Sequence, residues 1–401
     1  MLQRAWQNVS QGARWAVRGG AAPLVLGLRW RGWQQVAPPH DAPRRRGGFA
    51  LASKIALDEI FFATEIVSAT LVSLRDQRRV ASEVREAIAL YDARGWLADP
   101  AAFHVAPPPL TELPCVARSS RFGDHWHARF ESGYAPHAGE PGGERWQGQA
   151  ANRMAHAWLL EHGGPPRPWV VCIPGYRMGH PAVDFTGFRT RWLHETLGLN
   201  VAVPVMPLHG PRRAGRRGGD GWFSGDFLDT VHAQAQAVWD VRRLVSFLRT
   251  QRGAPAVGAY GVSLGAHTAA LLAAHEPSLS CVIAGIPASD LLRLLRSHVP
   301  ELVVRAAELV GLSLEETARV LSVVSPLAVP PLVPRERRWL YAGAADRLAA
   351  PEHALDLWRH WEQPRIAWYQ GSHISFLWES EVAALVREAL VASGMLGPVA
   401  A

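Results

Sequence analysis

The pentapeptide Gly261-Val262-Ser263-Leu264-Gly265 is the part of this sequence with the clearest chemical potential. Residues 256–260 predict a buried strand, and residues 265–274 predict a helix. A serine on the tight turn between a strand and a helix is exposed at the top of a sheet, and the flanking glycines Gly261 and Gly265 let neighbouring backbone pass closely. We therefore interpret Ser263 as a nucleophile.

A serine hydroxyl needs a base to activate it, and the base needs a carboxylate to orient it. Asp346 lies in an open loop after a predicted strand, and His373 lies in the loop after the last predicted strand. We favour Asp346 over Asp290 as the acid because it lies closer to His373 along the chain. The alternative bases are less well placed, on a predicted helix or in an inserted segment: His298, His353 and His360.

The oxyanion of a tetrahedral intermediate needs two backbone N–H donors. The N–H group of Leu264 directly follows the nucleophile and supplies one of them. The second is expected in the loop after the predicted strand 169–173, where Gly175 allows close approach. Tyr176 is the preferred second donor, with Arg177 as the alternative.

The loop 207–220 follows another strand end and contains four arginines, so we expect it to border the same site. In one interpretation, Arg177, His209, Arg212 and Arg213 bind an anionic group of the substrate, because guanidinium groups bind carboxylates and phosphates well. In the other, the loop is solvated, its arginines pair with local acids, and His209 packs within the loop. Both interpretations stay open.

These candidate residues depend on a regular alternation of strands and helices. Strands are predicted at 122–132, 154–160, 169–173, 200–205, 256–260, 281–286, 338–342 and 366–369, and helices at 227–248, 265–274, 352–361 and 378–392. The first two strands resemble an antiparallel pair. The later alternation predicts an α/β fold with a mostly parallel central sheet and helices on both faces.

The chain divides into three segments. Residues 1–50 are rich in Arg and Trp, residues 51–120 form a helical extension, and residues 121–400 form the domain that contains Ser263. Within that domain, residues 291–334 interrupt the alternation with two or three short helices. This helical insertion is placed to cover the carboxyl ends of the strands as a lid.

The positive charge of the chain is concentrated near its start. The net charge is +7, and residues 1–50 contain eight Arg, no Lys and one acidic residue, so the remaining residues are balanced. Phosphate binding needs a concentrated basic face, which argues against nucleic acid as a partner. Arg interleaved with Trp in residues 1–48 suggests peripheral contact with a membrane surface. A mobile tail, or one that wraps its own domain, is favoured because apolar periodicity there is poor.

The sequence favours a cytoplasmic protein, with peripheral membrane contact as the alternative. No apolar stretch reaches the ~18–20 residues of a membrane span. Residues 19–28 resemble a signal-peptide core but lack a clear cleavage site. Cys115, Cys172 and Cys281 are sparse and mostly within predicted strands, which suggests free thiols in a reducing compartment. No Cys/His spacing predicts a metal site.

Residues 165–395 resemble the α/β-hydrolase superfamily, through the Ser263 turn, the Asp346 loop and the His373 loop. The sequence Pro-Leu-His-Gly-Pro-Arg-Arg at 207–213, with the start of the helix near 225–229, is also similar to abhydrolase-domain-containing-18-like proteins. The resemblance implies the α/β-hydrolase fold, a catalytic triad and hydrolysis of an ester-like bond. It implies no particular substrate, and residues 1–120 match no known motif.

The leading hypothesis is a serine hydrolase that cleaves a carboxylic ester through an acyl-enzyme, with a small-molecule ester or acyl substrate and no metal or organic cofactor. The insertion and the N-terminal helices predict a covered apolar pocket for acyl or aromatic groups. Three other hypotheses remain. They are an amidase, peptidase, thioesterase or acyltransferase on the same triad, a membrane-surface lipase-like enzyme, and a non-catalytic binding protein, which the complete triad argues against.

Overall fold

A single nine-stranded sheet organises the protein in the computed structural model, which describes residues 41–68, 74–120, 123–299 and 301–397. The strand order is β1-β2-β3-β5-β4-β6-β7-β8-β9. The strands are β1 (Cys115–Arg118), β2 (His125–Glu131), β3 (Met154–Leu160), β4 (Trp169–Ile173), β5 (Asn200–Val205), β6 (Val257–Val262), β7 (Val282–Gly285), β8 (Arg338–Gly343) and β9 (Arg365–Tyr369). Pairing is antiparallel from β1 to β5 and parallel from β5 to β9. The predicted fold class is confirmed.

Helices surround the sheet and form the extension and the insertion. They are α1 (Phe49–Ser68), α2 (Leu74–Ala93), α3 (Gly143–Gln147), α4 (Pro181–Gly187), α5 (Phe227–Thr250), α6 (Leu264–His275), α7 (Leu291–His298), α8 (Glu301–Leu309), α9 (Leu314–Ser322), α10 (Pro351–His360) and α11 (Ser380–Ala392). A short 3-10 turn, Ile374–Trp378, follows β9 directly after His373. Helices α7, α8 and α9 occupy the predicted insertion 291–334.

Both faces of the central strands are buried, which explains their continuous apolar sequences. In β4, Trp169, Val171 and Ile173 point into one core cluster, and Val170 and Cys172 point into the other, as the period of two requires. Helices α5, α6 and α10 cover the first face, and α4 and α11 cover the second. The carboxyl ends of the parallel strands are therefore left as the edge where loops gather.

The sequence predicted most of these elements but missed β1. Strands β3, β4 and β5 have their predicted bounds, and the helix predicted at 227–248 runs to Thr250. Strand β1 lies within the segment 51–120 that we assigned to the helical extension. Three of its four residues are exposed at the sheet edge, so the alternating apolar pattern that reveals a strand is absent.

The two helices of the extension pack in different places. Helix α2 joins a cluster with α5 and α9, through Val80, Val84 and Tyr91. Helix α1 contacts the turn after β9. Among the described helices, none has both the length and the apolarity needed to span a membrane. Residues 1–40 are outside the described part of the chain, and with them the signal-like stretch 19–28 and most of the segment 1–48.

Candidate active site

Ser263 occupies a strained turn between β6 and α6. Its φ is 55° and its ψ is −117°, in a region that non-glycine residues rarely adopt. A Cβ atom on Gly261 would lie 2.1 Å from the carbonyl oxygen of Gly265, and a Cβ atom on Gly265 would lie 1.9 Å from that of Ile173. Both glycines are required because backbone passes where any side chain would be.

His373 connects Ser263 to Asp346. Its Nε2 atom lies 3.0 Å from the Oγ atom of Ser263, and its Nδ1 atom lies 2.7 Å from the Oδ2 atom of Asp346. The other carboxylate oxygen of Asp346 accepts hydrogen bonds from the N–H groups of Leu348 (2.9 Å) and Ala349 (2.8 Å). The structure thus brings together the three residues predicted from the sequence, each from a different loop at the carboxyl edge of the sheet.

The environment of His373 favours its protonated form. Burial alone lowers the pKa of the ring. The charge and hydrogen bond of Asp346 and the charge of Asp58 together outweigh burial, so the pKa of His373 lies above 6.5. A histidine in this setting accepts a proton from a serine hydroxyl readily, because the adjacent carboxylate stabilises the imidazolium that forms.

The alternative acid, Asp290, and the alternative bases, His298, His353 and His360, have other structural roles. Asp290 caps α7 by accepting a hydrogen bond of 2.9 Å from the N–H group of Arg293. Each alternative histidine has a separate neighbour: the carbonyl oxygen of Leu348 for His298, Ser289 for His353, and the carbonyl oxygen of Val329 for His360.

The loop after β4 lies directly beside the nucleophile. Ile173 pairs with Gly261 in the sheet, and a Cβ atom on Gly175 would lie 3.3 Å from the Cβ atom of Ser263. Leu264 is the first residue of α6, so its N–H group has no acceptor within the helix. Leu264 and the backbone at Tyr176 are therefore close to Ser263, and their role as oxyanion donors stays a prediction.

A buried carboxylate that the sequence did not reveal holds the far end of this loop. Asp184 in α4 accepts hydrogen bonds from the N–H group of Gly179 (2.8 Å) and from the indole of Trp158 (2.9 Å). Burial raises the pKa of Asp184 to about 7, although both donors favour the charged form. The loop after β4 is thus held in place at two points, beside the Ser263 turn and again at Gly179.

A cavity of about 630 Å³ opens at Ser263 and His373. Its wall is mostly apolar and comes from both segments expected to cover the site. Helix α1 and the insertion contribute Phe61, Phe62, Leu294, Leu295 and Val299. Other segments at the carboxyl edge of the sheet add Met178, Val183, Leu348, Phe376 and Leu377. This size and composition suit an apolar group of a small molecule.

Of the two interpretations left open for the loop 207–220, substrate binding by Arg212 and His209 is wrong, because both side chains are fully buried. Arg212 forms an ion pair of 2.8 Å with Asp240 and donates to two backbone carbonyl groups. His209 contacts the carbonyl oxygen of Pro207 through Nδ1 at 2.8 Å, and burial lowers its pKa to about 4. In the sequence, Arg and His in a loop next to a site resemble substrate-binding residues. Here their side chains pack beneath the loop and support it.

The two remaining arginine candidates differ from each other. Arg213 is exposed and is not part of the cavity wall. Arg177 lines the cavity, donates to Asp220 at 2.6 Å, and lies 4.6 Å above the ring of Tyr176. Arg177, from the loop after β4, therefore pairs with an acid of the loop 207–220 and also lines the cavity.

The His125-Trp126-His127 segment lies in β2, away from these loops. His127 Nε2 lies 2.9 Å from His156 Nδ1 on the neighbouring strand, so the two rings are each other's hydrogen-bond partners. Within residues 41–68, 74–120, 123–299 and 301–397, no group of three or more His, Cys, Asp or Glu side chains is arranged to hold a metal ion.

Asp58 in α1 is the most important residue that the sequence interpretation missed. Its carboxylate accepts hydrogen bonds from three backbone N–H groups, those of His373 (2.9 Å), Ile374 (3.0 Å) and Arg347 (3.1 Å). A signal was available: Ile55, Asp58 and Phe62 share one helical face, and all three are buried. A carboxylate on an apolar stripe needs internal partners.

The chain is similar to two Mycobacterium tuberculosis proteins over most of its length, and no family model matches it. They are described as uncharacterized protein MT2702 (strain CDC 1551 / Oshkosh) and uncharacterized protein Rv2627c (strain ATCC 25618 / H37Rv). Each is 39% identical over 383 residues, which cover 93% of this chain and 89% of the relative.

Two solved structures show the same fold at low sequence identity. Acetyl xylan esterase 1 from Thermoanaerobacterium sp. JW/SL YS485 is 14% identical, with a TM-score of 0.53, and the match covers 76% of this chain and 93% of that one. Acetyl xylan esterase from Paenibacillus sp. R4 is 16% identical, with a TM-score of 0.52, and the match covers 73% and 92%. The chain has the α/β-hydrolase fold and belongs to the family of the Mycobacterium tuberculosis proteins MT2702 and Rv2627c.

Proposed function

We propose that this protein is a serine hydrolase that cleaves a small carboxylic ester with an apolar acyl or aromatic group. The observation that carries the proposal is the position of His373, in hydrogen-bond contact with both Ser263 and Asp346 at the wall of an apolar cavity. A nucleophile, a base within reach of it and a group that orients the base form the arrangement required for acyl transfer.

In the first half of the reaction, the Oγ atom of Ser263 attacks the carbonyl carbon of the ester and its proton passes to Nε2 of His373. The N–H groups of Leu264 and Tyr176 stabilise the oxyanion that forms. His373 then gives its proton to the leaving alcohol as the carbon–oxygen bond of the ester breaks. Asp346 keeps the ring in the tautomer that presents Nε2 to the serine.

In the second half, the acyl group on Ser263 is released by water. His373 removes a proton from the water as its oxygen attacks the acyl carbon, and it returns that proton to Oγ as the acid leaves. An amide or thioester is attacked by the same groups, so the leaving group and the shape of the cavity decide which bond is cleaved.

We further propose that the chain belongs to the abhydrolase-domain-containing-18-like branch of the superfamily, on the similarity at 207–213. Its free cysteines, two of them buried, support a cytoplasmic location.

The first test is intact mass after treatment with a fluorophosphonate, which phosphonylates an activated serine. We expect one adduct on the wild type and none on Ser263→Ala. Ser297→Ala is the matched control, because Ser297 is an exposed serine on α7 at the cover of the same cavity. This control should react as the wild type does.

Hydrolysis of 4-nitrophenyl acetate, butanoate, octanoate and hexadecanoate then measures the acyl preference. Loss of the nucleophile should lower kcat on the order of 10⁵-fold or more. A folded wild type that does not react with the fluorophosphonate, with or without mild detergent, would contradict the proposal of a serine hydrolase. Labelling at Ser263 without ester cleavage would move the proposal to an amide, a thioester or acyl transfer.

A further inference from the structure

Helix α1 is bound to the loops that follow β8 and β9 by polar contacts along its length. The side chain of Lys54 pairs with Glu379 at 2.6 Å, and its backbone carbonyl accepts a hydrogen bond of 2.7 Å from the hydroxyl of Ser372. One turn further, Glu59 pairs with Arg347 at 2.9 Å, with both side chains nearly inaccessible to solvent. The helix thus contacts both the histidine loop and the acid loop.

Asp58 lies between these two loops. Its Oδ2 atom accepts from the N–H group of Arg347, next to Asp346, and from that of His373, while Oδ1 accepts from that of Ile374. One carboxylate therefore connects the backbone beside the acid to the backbone of the base. The exposed fraction of Asp58 is 0%, so water cannot replace these contacts.

The position of His373 depends on the hydrogen bonds that Asp58 accepts. A buried N–H group without an acceptor is costly, by about 1–3 kcal/mol, so removal of the carboxylate would force both loops to rearrange. The distances from His373 to Ser263 and to Asp346 are set by the same two loops.

Asp58 also acts on His373 through its charge. The ionisable groups around it are Asp346 and Arg347 from the loop after β8, Tyr369 at the end of β9, His373 from the loop after β9, and Glu59 on its own helix. Burial, followed by the charge of Asp346, raises the pKa of Asp58 to about 6. Above that pH the carboxylate is charged and helps to raise the pKa of His373.

We propose that Asp58 is a positioning residue of the active site, which joins the acid loop to the histidine loop so that His373 faces both Ser263 and Asp346. The proposal rests on the proposed function above. It assigns a role in the reaction to a helix outside the hydrolase domain that the sequence predicted.

The test compares Asp58→Asn with the wild type and with Asp92→Asn, an exposed carboxylate on α2. The Asn side chain keeps the shape of Asp but turns one acceptor into a donor that faces a backbone N–H group. We expect kcat for the preferred ester to fall roughly ten- to hundredfold, because a shift of about 1 Å in a reacting group can cost up to 10²-fold. KM should change little, since Asp58 does not line the cavity.

A second readout needs no substrate and so separates this proposal from the proposed function. With [¹³C-ε1]histidine labelling, the His373 signal is assigned by its absence in His373→Ala and titrated against pH. In Asp58→Asn the loss of a nearby negative charge should lower the pKa of His373. In a separate measurement with the ester, the acidic limb of the kcat/KM profile should move to lower pH. Asp92→Asn should leave both unchanged.

If the wild type fails to react with the fluorophosphonate, the proposed function fails, while a shifted His373 titration would still support the positioning role. An unchanged titration and unchanged kcat in folded Asp58→Asn would overturn that role. Asp58→Ala, which introduces no opposing donor, is measured if the Asn variant does not fold. Failure of both variants to fold would also overturn it, because Asp58 would then support the whole fold.

Discussion

The nucleophile and the base of the candidate site are held in place by different means. Ser263 is positioned by backbone alone, since β6, α6 and β4 approach so closely that only glycine fits at Gly261 and Gly265. His373 and Asp346 lie in loops whose backbone N–H groups are bound by Asp58, a side chain on a helix more than 300 residues from His373 in sequence.

Ser263 and His373 thus illustrate two ways of fixing the position of a side chain. A backbone-built turn is local and tolerates almost no substitution, whereas a loop pair held by one carboxylate depends on a distant segment and on its ionisation. We expect substitution of the glycines that hold the Ser263 turn to appear mainly as lost stability, and damage to the contacts of His373 mainly as lost rate.

Among changes to the groups that hold Ser263 and His373 in place, the largest effect should come from Asp346. In Asp346→Asn the amide would donate to Nδ1 and favour the wrong tautomer of His373, so kcat should fall about 10⁴-fold. The thermal midpoint should stay close to that of Asp124→Asn, a matched change at an exposed residue. Ester hydrolysis within tenfold of the wild type would contradict a base side organised around Asp346.

A smaller effect, on stability, should follow from breaking the nucleophile side at Gly265. In Gly265→Ala the new methyl group would meet the carbonyl of Ile173 at 1.9 Å, and we expect a loss on the order of 3 kcal/mol in the free energy of unfolding. Urea titration measures it. The control is Gly163→Ala, where a Cβ atom has nothing within 4 Å, and its change should be within about 0.5 kcal/mol. Equal midpoints for the two variants would show that the turn has room.

The smallest effect is a displaced pH profile. His373 acts as a base only when neutral, and its pKa is raised above 6.5. Activity should therefore be complete well above that pKa and be lost as pH falls through it, with a midpoint of kcat/KM above 6.5. An uncharged ester substrate avoids titration of the substrate itself. A midpoint at or below 6.5 would mean that the carboxylates do not outweigh burial.

The parts of this site that depend on local sequence were predictable. The Ser263 turn, the Asp346 loop and the His373 loop each follow a strand with a clear apolar pattern, and the chain order was sufficient to pair them. The role of Arg212 could not be predicted from the sequence. An arginine in a loop next to a site resembles a substrate-binding residue, but Arg212 pairs with Asp240 inside the fold. Asp58 was not among the residues that the sequence singled out. Nothing in a linear pattern indicates which distant loop a buried carboxylate binds.

The contacts of Asp58 also have a consequence for the order in which the protein matures. During synthesis helix α1 leaves the ribosome long before the loop that contains His373, 315 residues later. Closing so long a separation is slow compared with local pairing. The hydrogen bonds between Asp58 and this loop can form only after the sheet has brought the loop into place and α1 has docked on it. Incomplete chains that already contain Ser263 therefore lack His373, the base of the proposed reaction, during their own synthesis.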